Sequence, residues 1–291
     1  MKTGDDVIFN EFNQLKKLWQ VSFGDDAQFV DLYFERVYRF ENTVTRTVDD
    51  RIASAAQFLY FDITCRGNVF KGVYLLGICT HPEYRRRGLS SDIIRQILTE
   101  QSALGVDIAF LIPQEEHLFG FYENLGFTRA FAFYEGYVSP PDINVGRDHF
   151  YEIMTASMDN IYEFYNNFYR SLNSAIIKDL KYFLFTMDYI KADGRIDICG
   201  VNGEIRGFAA TEGNVVKELL YIDKMARDTL LLKLFAEDNK LKNLKVITPV
   251  SDSRLPGAVK KTIGMMHVLN PGLSEPITAF LLDSYANLLL N

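Results

Sequence analysis

Cysteine is scarce. The 291-residue chain has three, Cys65, Cys79 and Cys199, and none stands at the short spacing of a zinc site or a redox pair. Each lies in an apolar, strand-like stretch, which reads as a reduced thiol in a core. Positive charge is also in deficit. The 31 Lys and Arg face 38 Asp and Glu, a net charge of −7. A face that binds nucleic acid or an anionic membrane needs an excess of cations, so neither partner is expected; the cysteine spacing gives no reason to expect a metal. An acidic surface suits cationic small molecules and amines instead. Long hydrophobic runs are missing too. The opening "MKTGDDVIFNEFNQLKK" lacks a signal-peptide core, and no apolar stretch reaches membrane-spanning length, so the expectation is a soluble, cytoplasmic protein. What remains, 48% hydrophobic and 24% charged residues, suffices for one large domain or two ordinary ones.

Two stretches of the chain follow the same order. In the first, Phe12, Leu15, Leu18 and Trp19 recur at helical spacing, and a second such stretch runs from Phe29 to Tyr38. The strand-like runs "NTVTRTV", "ASAAQFLYFDIT" and "VFKGVYLLGICT" follow, the last two separated by the turn "CRGN". Leu89, Ile93, Ile94, Ile97 and Leu98 then form one helical face. A short strand "VDIAFLIP", a helix through "EEHLFGFYENLG" and a strand "FTRAFAFYEGYV" complete the set before the connector "VSPPDINVG". The second stretch has a hairpin turning at Asn202-Gly203, a strand "VVKELLYID", a helix "RDTLLLKLFAEDNKL" and a strand "LKVITPV". A helical "LPGAVKKTIG" and "MMHVLN" close it. The expected division is residues 1–138, residues 139–270 and a helical tail over 271–291. In that tail Ile277, Phe280, Leu281, Tyr285, Leu288 and Leu289 form a stripe to be buried on its own chain or in a homo-oligomer.

The two copies differ at one place. Gly67-Asn68-Val69-Phe70-Lys71 matches Gly213-Asn214-Val215-Val216-Lys217 at an offset of 146, and Pro113 matches Pro249 at an offset of 136. The second copy is therefore ten residues shorter in between. There the first carries "HPEYRRRGLS" and the second only "KMARD". A glycine lets backbone approach a ligand, and a helix N-terminus presents unpaired N–H groups at the positive end of its dipole. A solvated basic turn has the same composition, but nothing confines such a turn to one copy of two. The loop reads as an anion site.

A strand, Arg-x-x-Gly-x-small, a helix, a strand and "FYENLGF", over residues 10–137, resemble the GCN5-related N-acetyltransferase (GNAT) superfamily. Its pyrophosphate loop reads Arg/Gln-x-x-Gly-x-Gly/Ala; here it is Arg85-Arg86-Arg87-Gly88-Leu89-Ser90, with serine in the last place. The tandem order is similar to the enhanced-intracellular-survival (Eis) type, in which an active first domain precedes a degenerate second one. Members of that type add a sterol-carrier-like third domain, before which this chain ends, so their oligomer and catalytic C-terminal carboxylate are not carried over. The implied fold is α/β, an α+β mixed sheet in two tandem GNAT-like domains.

The resemblance implies acetyl-coenzyme A as co-substrate and a primary amine of a small molecule or peptide as acceptor. The amides of Arg86 to Ser90 would face the pyrophosphate, with Arg85 or Arg86 adding a side-chain contact. Backbone at Ile78 and Thr80 would meet the pantetheine, their side chains only packing. Tyr122, four residues before Gly126, matches the donor that reprotonates the leaving thiolate, since a phenol of pKa about 10 keeps its proton at neutral pH. Four residues before Gly264 stands Lys260, so the second copy lacks both loop and acid. No base is nominated; Glu115, Glu116 and His117 are expected to be exposed or capping. Asp25, Asp26, Asp31 and Glu35 among Phe23, Phe29, Tyr33 and Phe34 suit an ammonium acceptor, although composition alone favours two amphipathic helices with solvated acids. Two competing functions remain. A non-catalytic acyl-coenzyme A sensor would need no Tyr122, and a transferase using charged tRNA sits poorly with the acidic balance.

Overall fold

The computed structural model describes residues 4–143, 151–238, 241–249, 255, 257–273 and 275–288. In chain order these form α1 (Gly4–Phe23), α2 (Ala27–Arg36), β1 (Thr43–Val48), β2 (Arg51–Cys65), β3 (Asn68–Thr80), α3 (Leu89–Ala103), β4 (Ile108–Leu111), α4 (Leu118–Glu123) and β5 (Thr128–Val138). There follow β6 (Glu152–Met154), α5 (Met158–Ser171), β7 (Ser174–Ile177), α6 (Leu180–Asp193), β8 (Arg195–Val201), β9 (Glu204–Glu212) and β10 (Val215–Tyr221). Last come α7 (Lys224–Glu237), β11 (Leu244–Thr248), β12 (Val259–Val268) and α8 (Glu275–Leu282). Three tight hairpin turns have left-handed φ at both central residues, Asp49-Asp50, Arg66-Gly67 and Asn202-Gly203, the geometry that matches strand twist. The three cysteines are free and buried, and burial pushes the thiols of Cys79 and Cys199 up to about 12.

The chain divides into two compact units that interleave along the sequence. The first comprises Met1–Asp62, Val69–Arg129 and Gly264–Glu275. Its strands run in the order β1-β2-β3-β4-β12. β3 and β4 are parallel, paired from Gly72–Ile108 to Tyr74–Phe110, and β12 is antiparallel to β4, with Met265 opposite Leu111. A late segment of the chain thus completes this sheet. On one side Ile93, Ile94 and Ile97 of α3 pack with Val73, Leu75, Ala109, Leu111, Phe119 and Met265. Helices α1 and α2 hold a second cluster, in which the Trp19 ring lies 4.8 Å from Tyr33 and 5.8 Å from Phe34.

The second unit comprises Ile63–Asn68, Ala130–Ile263 and Pro276–Asn291, with strand order β5-β11-β10-β9-β8-β6. Here α5 and α6 pack on β8 to β10 around Phe183, Phe208 and Leu220. Their core encloses charge. Glu218 is fully buried and accepts hydrogen bonds from Tyr169, from Tyr165 at 3.0 Å and from Tyr285 at 2.9 Å. Lys178, also fully buried, donates to the Tyr165 hydroxyl at 2.5 Å and lies 3.9 Å from Glu218. Burying two charges is tolerable only with such complete pairing.

Two sequence expectations are corrected. The segment 255–264, expected to be helical, is strand from Val259 onward, while residues 250–254 and 256 lie outside the described residues. Its β-branched Val259, Thr262 and Ile263 favour strand. Successive lysines there have different partners, Lys260 with Asp283 at 2.6 Å and Lys261 with Glu135 at 2.7 Å, as the period of two allows. Lys260 therefore has no helical place comparable to that of Tyr122. The tail helix stops at Leu282. Beyond it the chain runs extended, Tyr285 bridging Ala132 and Ala175, with Tyr285, Ala286 and Leu288 buried. Leu289 lies outside the described residues.

Candidate functional site

Strand β3 outruns its neighbour. Its pairing to β4 ends at Tyr74, yet β3 continues through Ile78 to Thr80, while β4 stops at Leu111. Gly77, with φ +57°, bends β3 within this unpaired stretch. Past Thr80, a single turn over Pro82–Tyr84 leads into the arginines, anchored by the His81 amide on the Ala53 carbonyl at 2.8 Å.

The three arginines do different things. Arg85 turns back, its Nε donating to the Thr80 carbonyl at 3.1 Å. Arg87 lies over the Tyr84 ring at 5.1 Å and donates to the Glu83 carbonyl at 3.4 Å. Arg86 is exposed, takes a left-handed φ of +63°, and its guanidinium has no partner among the described residues. Gly88 caps α3 at φ +80° with no side-chain hydrogen bond, and a Cβ built there meets nothing within 4 Å. The first amides of α3 therefore keep their unpaired N–H groups beside an open approach. Helices α2, α5, α6 and α7 instead carry side-chain caps, from Asp26, Ser157, Asp179 and Asp223.

Tyr122 sits on α4, 7% exposed, in the core cluster that also contains Leu111, Phe119 and Phe127 and against which Ile78 packs. Its hydroxyl has no hydrogen-bond partner among the described residues, and burial drives the phenol well above its ordinary pKa. A phenol so placed is a proton donor, not an anion. Leu89 and Ser90 open α3 half-buried.

The counterpart in the second unit is closed. After β10 the chain enters α7 within two residues, and the Asp223 carboxylate accepts from the Ala226 amide at 2.9 Å. A carboxylate already occupies the position an anion would take.

Thr80, Arg85 and Ser90 are brought together, and Ile78 shares a core cluster with Tyr122. The acids of the first two helices are not gathered into a cage. Asp25 accepts from the Trp19 indole at 2.7 Å, Asp26 caps α2, Asp31 pairs with Lys16, and Glu35 lies 3.5 Å from Arg36. Glu115 and His117 pair with each other at the surface, and Glu116 pairs with Arg129. Sequence reading missed Ser54, whose hydroxyl lies 2.8 Å from that of Thr80; a lone serine within the apolar "ASAAQFLY" was the signal. It also missed His267 of β12, which donates from Nδ1 to the Gly126 carbonyl at 2.9 Å. Among the described residues no group of three or more His, Cys, Asp or Glu side chains is placed to hold a metal, and no helix is long and apolar enough to cross a membrane.

Comparison with known proteins follows the same geometry. Residues 9–130 match the family model described as an acetyltransferase (GNAT) domain. No curated protein matches the sequence. A probable N-acyltransferase from Enterococcus faecalis is similar in structure, with a TM-score of 0.75 at 15% identity over 89% of this chain and 70% of its own. A GCN5-related N-acetyltransferase from Anabaena variabilis gives a TM-score of 0.70 at 15% identity, covering 93% and 72%. Eis1 from Mycobacterium abscessus gives 0.69 at 12% identity, covering 90% and 72%.

Proposed function

We propose, for an acetyltransferase that belongs through residues 9–130 to the GNAT domain family, that it transfers the acetyl group of acetyl-coenzyme A to a primary amine of a small molecule or peptide. The observation that carries this reading is the uncapped start of α3 behind Gly88, at the end of a strand that has lost its neighbour, with the buried Tyr122 in the same unit.

The residues present fit the coenzyme. Unpaired amides at the start of α3 and the free Arg86 suit a pyrophosphate, and the open space over Gly88 admits it. Backbone of β3 beyond Tyr74, unpaired on the β4 side, suits an extended chain laid along it like an added strand. The coenzyme supplies an activated acetyl thioester. Tyr122 holds a proton at its hydroxyl throughout the neutral range, and the role we give it is donation to the departing thiolate. An acceptor amine with a pKa near 10.4 must itself lose a proton, at about 4–5 kcal/mol at neutral pH. The acidic surface favours arrival of such cations. The closed helix start at Asp223 supports a second domain without coenzyme.

The test is release of free coenzyme thiol against a panel of polyamines, aminoglycosides and lysine peptides, repeated with Tyr122→Phe. The variant is expected to lower turnover roughly 10²–10⁴-fold while coenzyme affinity stays close to wild type. Near-native turnover by Tyr122→Phe would return this residue to packing and overturn its assignment as the acid.

A further inference from the structure

We infer that Thr80 is a positioning residue that holds both ends of the loop Arg85–Ser90, keeping it in its coenzyme-binding shape before the coenzyme arrives. The inference rests on the coenzyme reading given above. The loop needs holding. Arg86 at φ +63° occupies a region that side-chain-bearing residues rarely adopt, and Gly88 follows at +80°. An exposed segment with two left-handed residues does not keep one shape unaided.

Thr80 meets the loop twice. Its carbonyl accepts from Arg85 Nε at 3.1 Å, which fixes the entrance. Its hydroxyl lies 2.6 Å from the Ser90 hydroxyl, which fixes the exit at the first turn of α3. The same hydroxyl lies 2.8 Å from that of Ser54 on β2, a residue with no exposure. The loop is thereby tied to a buried strand through one threonine.

Counting protons orders this chain. A hydroxyl has one proton to give. Ser54 gives its own to the Cys79 carbonyl at 2.8 Å, so towards Thr80 it can only accept. Thr80 therefore donates to Ser54, and Ser90 donates to Thr80. The sequence of donors runs one way, from the loop into the core. It follows that the Ser90 hydroxyl has no proton left for a phosphate, and that only the backbone N–H of Ser90 serves an anion. It also explains a serine where the pattern has glycine or alanine: the hydroxyl is turned inward as an anchor. Thr80, whose side chain was expected only to pack, becomes the hub.

The experiment measures acetyl-coenzyme A affinity by calorimetry and steady-state kinetics for the full chain carrying Ser54→Ala, Thr80→Val, Thr80→Ser, Ser90→Ala or Ser54→Ala with Ser90→Ala. Ser54 touches neither coenzyme nor acceptor, so Ser54→Ala is expected to raise the coenzyme Kd and KM together, roughly three- to tenfold, while kcat stays as in wild type. Thr80→Val should weaken binding at least as much, Thr80→Ser should bind as wild type does, and the double variant should bind no worse than its weaker single. Ser90→Ala should weaken binding to a similar extent, whereas weakening by Ser90→Ala with none from Ser54→Ala or Thr80→Val would mean that its hydroxyl points at the phosphate, and would overturn the donor order. Lowered melting temperatures with unchanged Kd for Ser54→Ala and Thr80→Val would reduce the chain to a fold contact and overturn the positioning role. A wild-type chain that does not bind acetyl-coenzyme A overturns the coenzyme reading, and the clamp falls with it. A wild type that binds, with variants that bind equally, overturns the clamp alone.

Discussion

Replacing Gly77 by alanine tests how tightly the first two helices are bound to the strand that carries the site. Two separate costs add. The position has φ +57°, where a Cβ costs about 1–2 kcal/mol on backbone grounds alone. The new methyl would also stand 2.4 Å from Trp19 Cζ3 and 3.1 Å from Cε3, far inside contact distance. The indole has little room to retreat. It is 7% exposed, its Nε1 is held by Asp25 at 2.7 Å, and the rings of Tyr33 and Phe23 lie at 4.8 and 5.0 Å. Overpacking of this kind costs about 1–3 kcal/mol, so Gly77→Ala should destabilise by roughly 2–5 kcal/mol. The chain has a single tryptophan, and it is this one. Its fluorescence in a urea titration therefore reports unfolding at the mutated place. A second measurement separates the two costs. In a Trp19→Phe background part of the crowding goes and the backbone cost stays, so Gly77→Ala should cost only about 1–2 kcal/mol there, followed by circular dichroism. Equal penalties in both backgrounds, or a loss under about 0.5 kcal/mol in the first, would refute the close fit of indole against strand.

Gly88→Asp puts a carboxylate into the open space over the loop, and calorimetry should show acetyl-coenzyme A binding weakened at least tenfold, about 1.4 kcal/mol. Because Asp223 already caps α7, titration should saturate at one coenzyme per chain; a stoichiometry of two would mean that the carboxylate can be displaced. The buried cluster of the second unit predicts a pH profile. Burial, partly opposed by Glu218, brings the Lys178 ammonium down to about 8, and burial drives Tyr165, Tyr169 and Tyr285 well up. Between about pH 8 and 10 the unfolded chain holds a lysine proton that the folded chain has shed, so stability measured relative to Lys178→Met should rise with pH, the buried thiols of Cys79 and Cys199 lowering both proteins alike. Above about 10 the tyrosines ionise first in the unfolded chain, and stability should fall. A difference between the denaturation midpoints of wild type and Lys178→Met that stays flat across this range would contradict the assignment.

Much of this was legible from residue order alone. Apolar alternation marked most strands, Asn202-Gly203 announced its turn, and the length difference between the copies singled out the loop that the structure leaves uncapped. Tyr122 was singled out by its spacing to Gly126, and burial holds its phenol well above the ordinary pKa. Other features were hidden for definite reasons. "VKKTIG" mixes charge and β-branched residues without clear period, and it resolved as strand because its lysines find Asp283 and Glu135, partners far away in sequence. The later part of the tail's stripe fits a helix or an extended strip equally well, and only the bridges of Tyr285 choose the second beyond Leu282. Helices α5 and α6 went unread between more obvious strands. Side-chain chemistry at Thr80 was invisible because its meaning depends on Ser54, which is buried on another strand. Nor does alternation say which strand lies next to which, since an apolar edge accepts many neighbours.

The interleaved order of the first unit sets a timetable for synthesis. Its loop, its tyrosine and four of its five strands, apart from short end segments of β2 and β3 that belong to the second unit, are complete by Arg129, but the strand beside β4 ends at Val268. At about 5–20 residues per second, a ribosome needs roughly 7–28 s to cover the intervening stretch. Throughout that interval the nascent chain carries an open sheet edge at β4, next to a cluster that has yet to receive Met265. Such an edge recruits other strands. A gene fragment stopping at residue 138 would make this waiting state permanent, so the first half is a poor candidate for expression by itself. The first unit is thus completed late in the synthesis of each molecule, only once Val268 has been added.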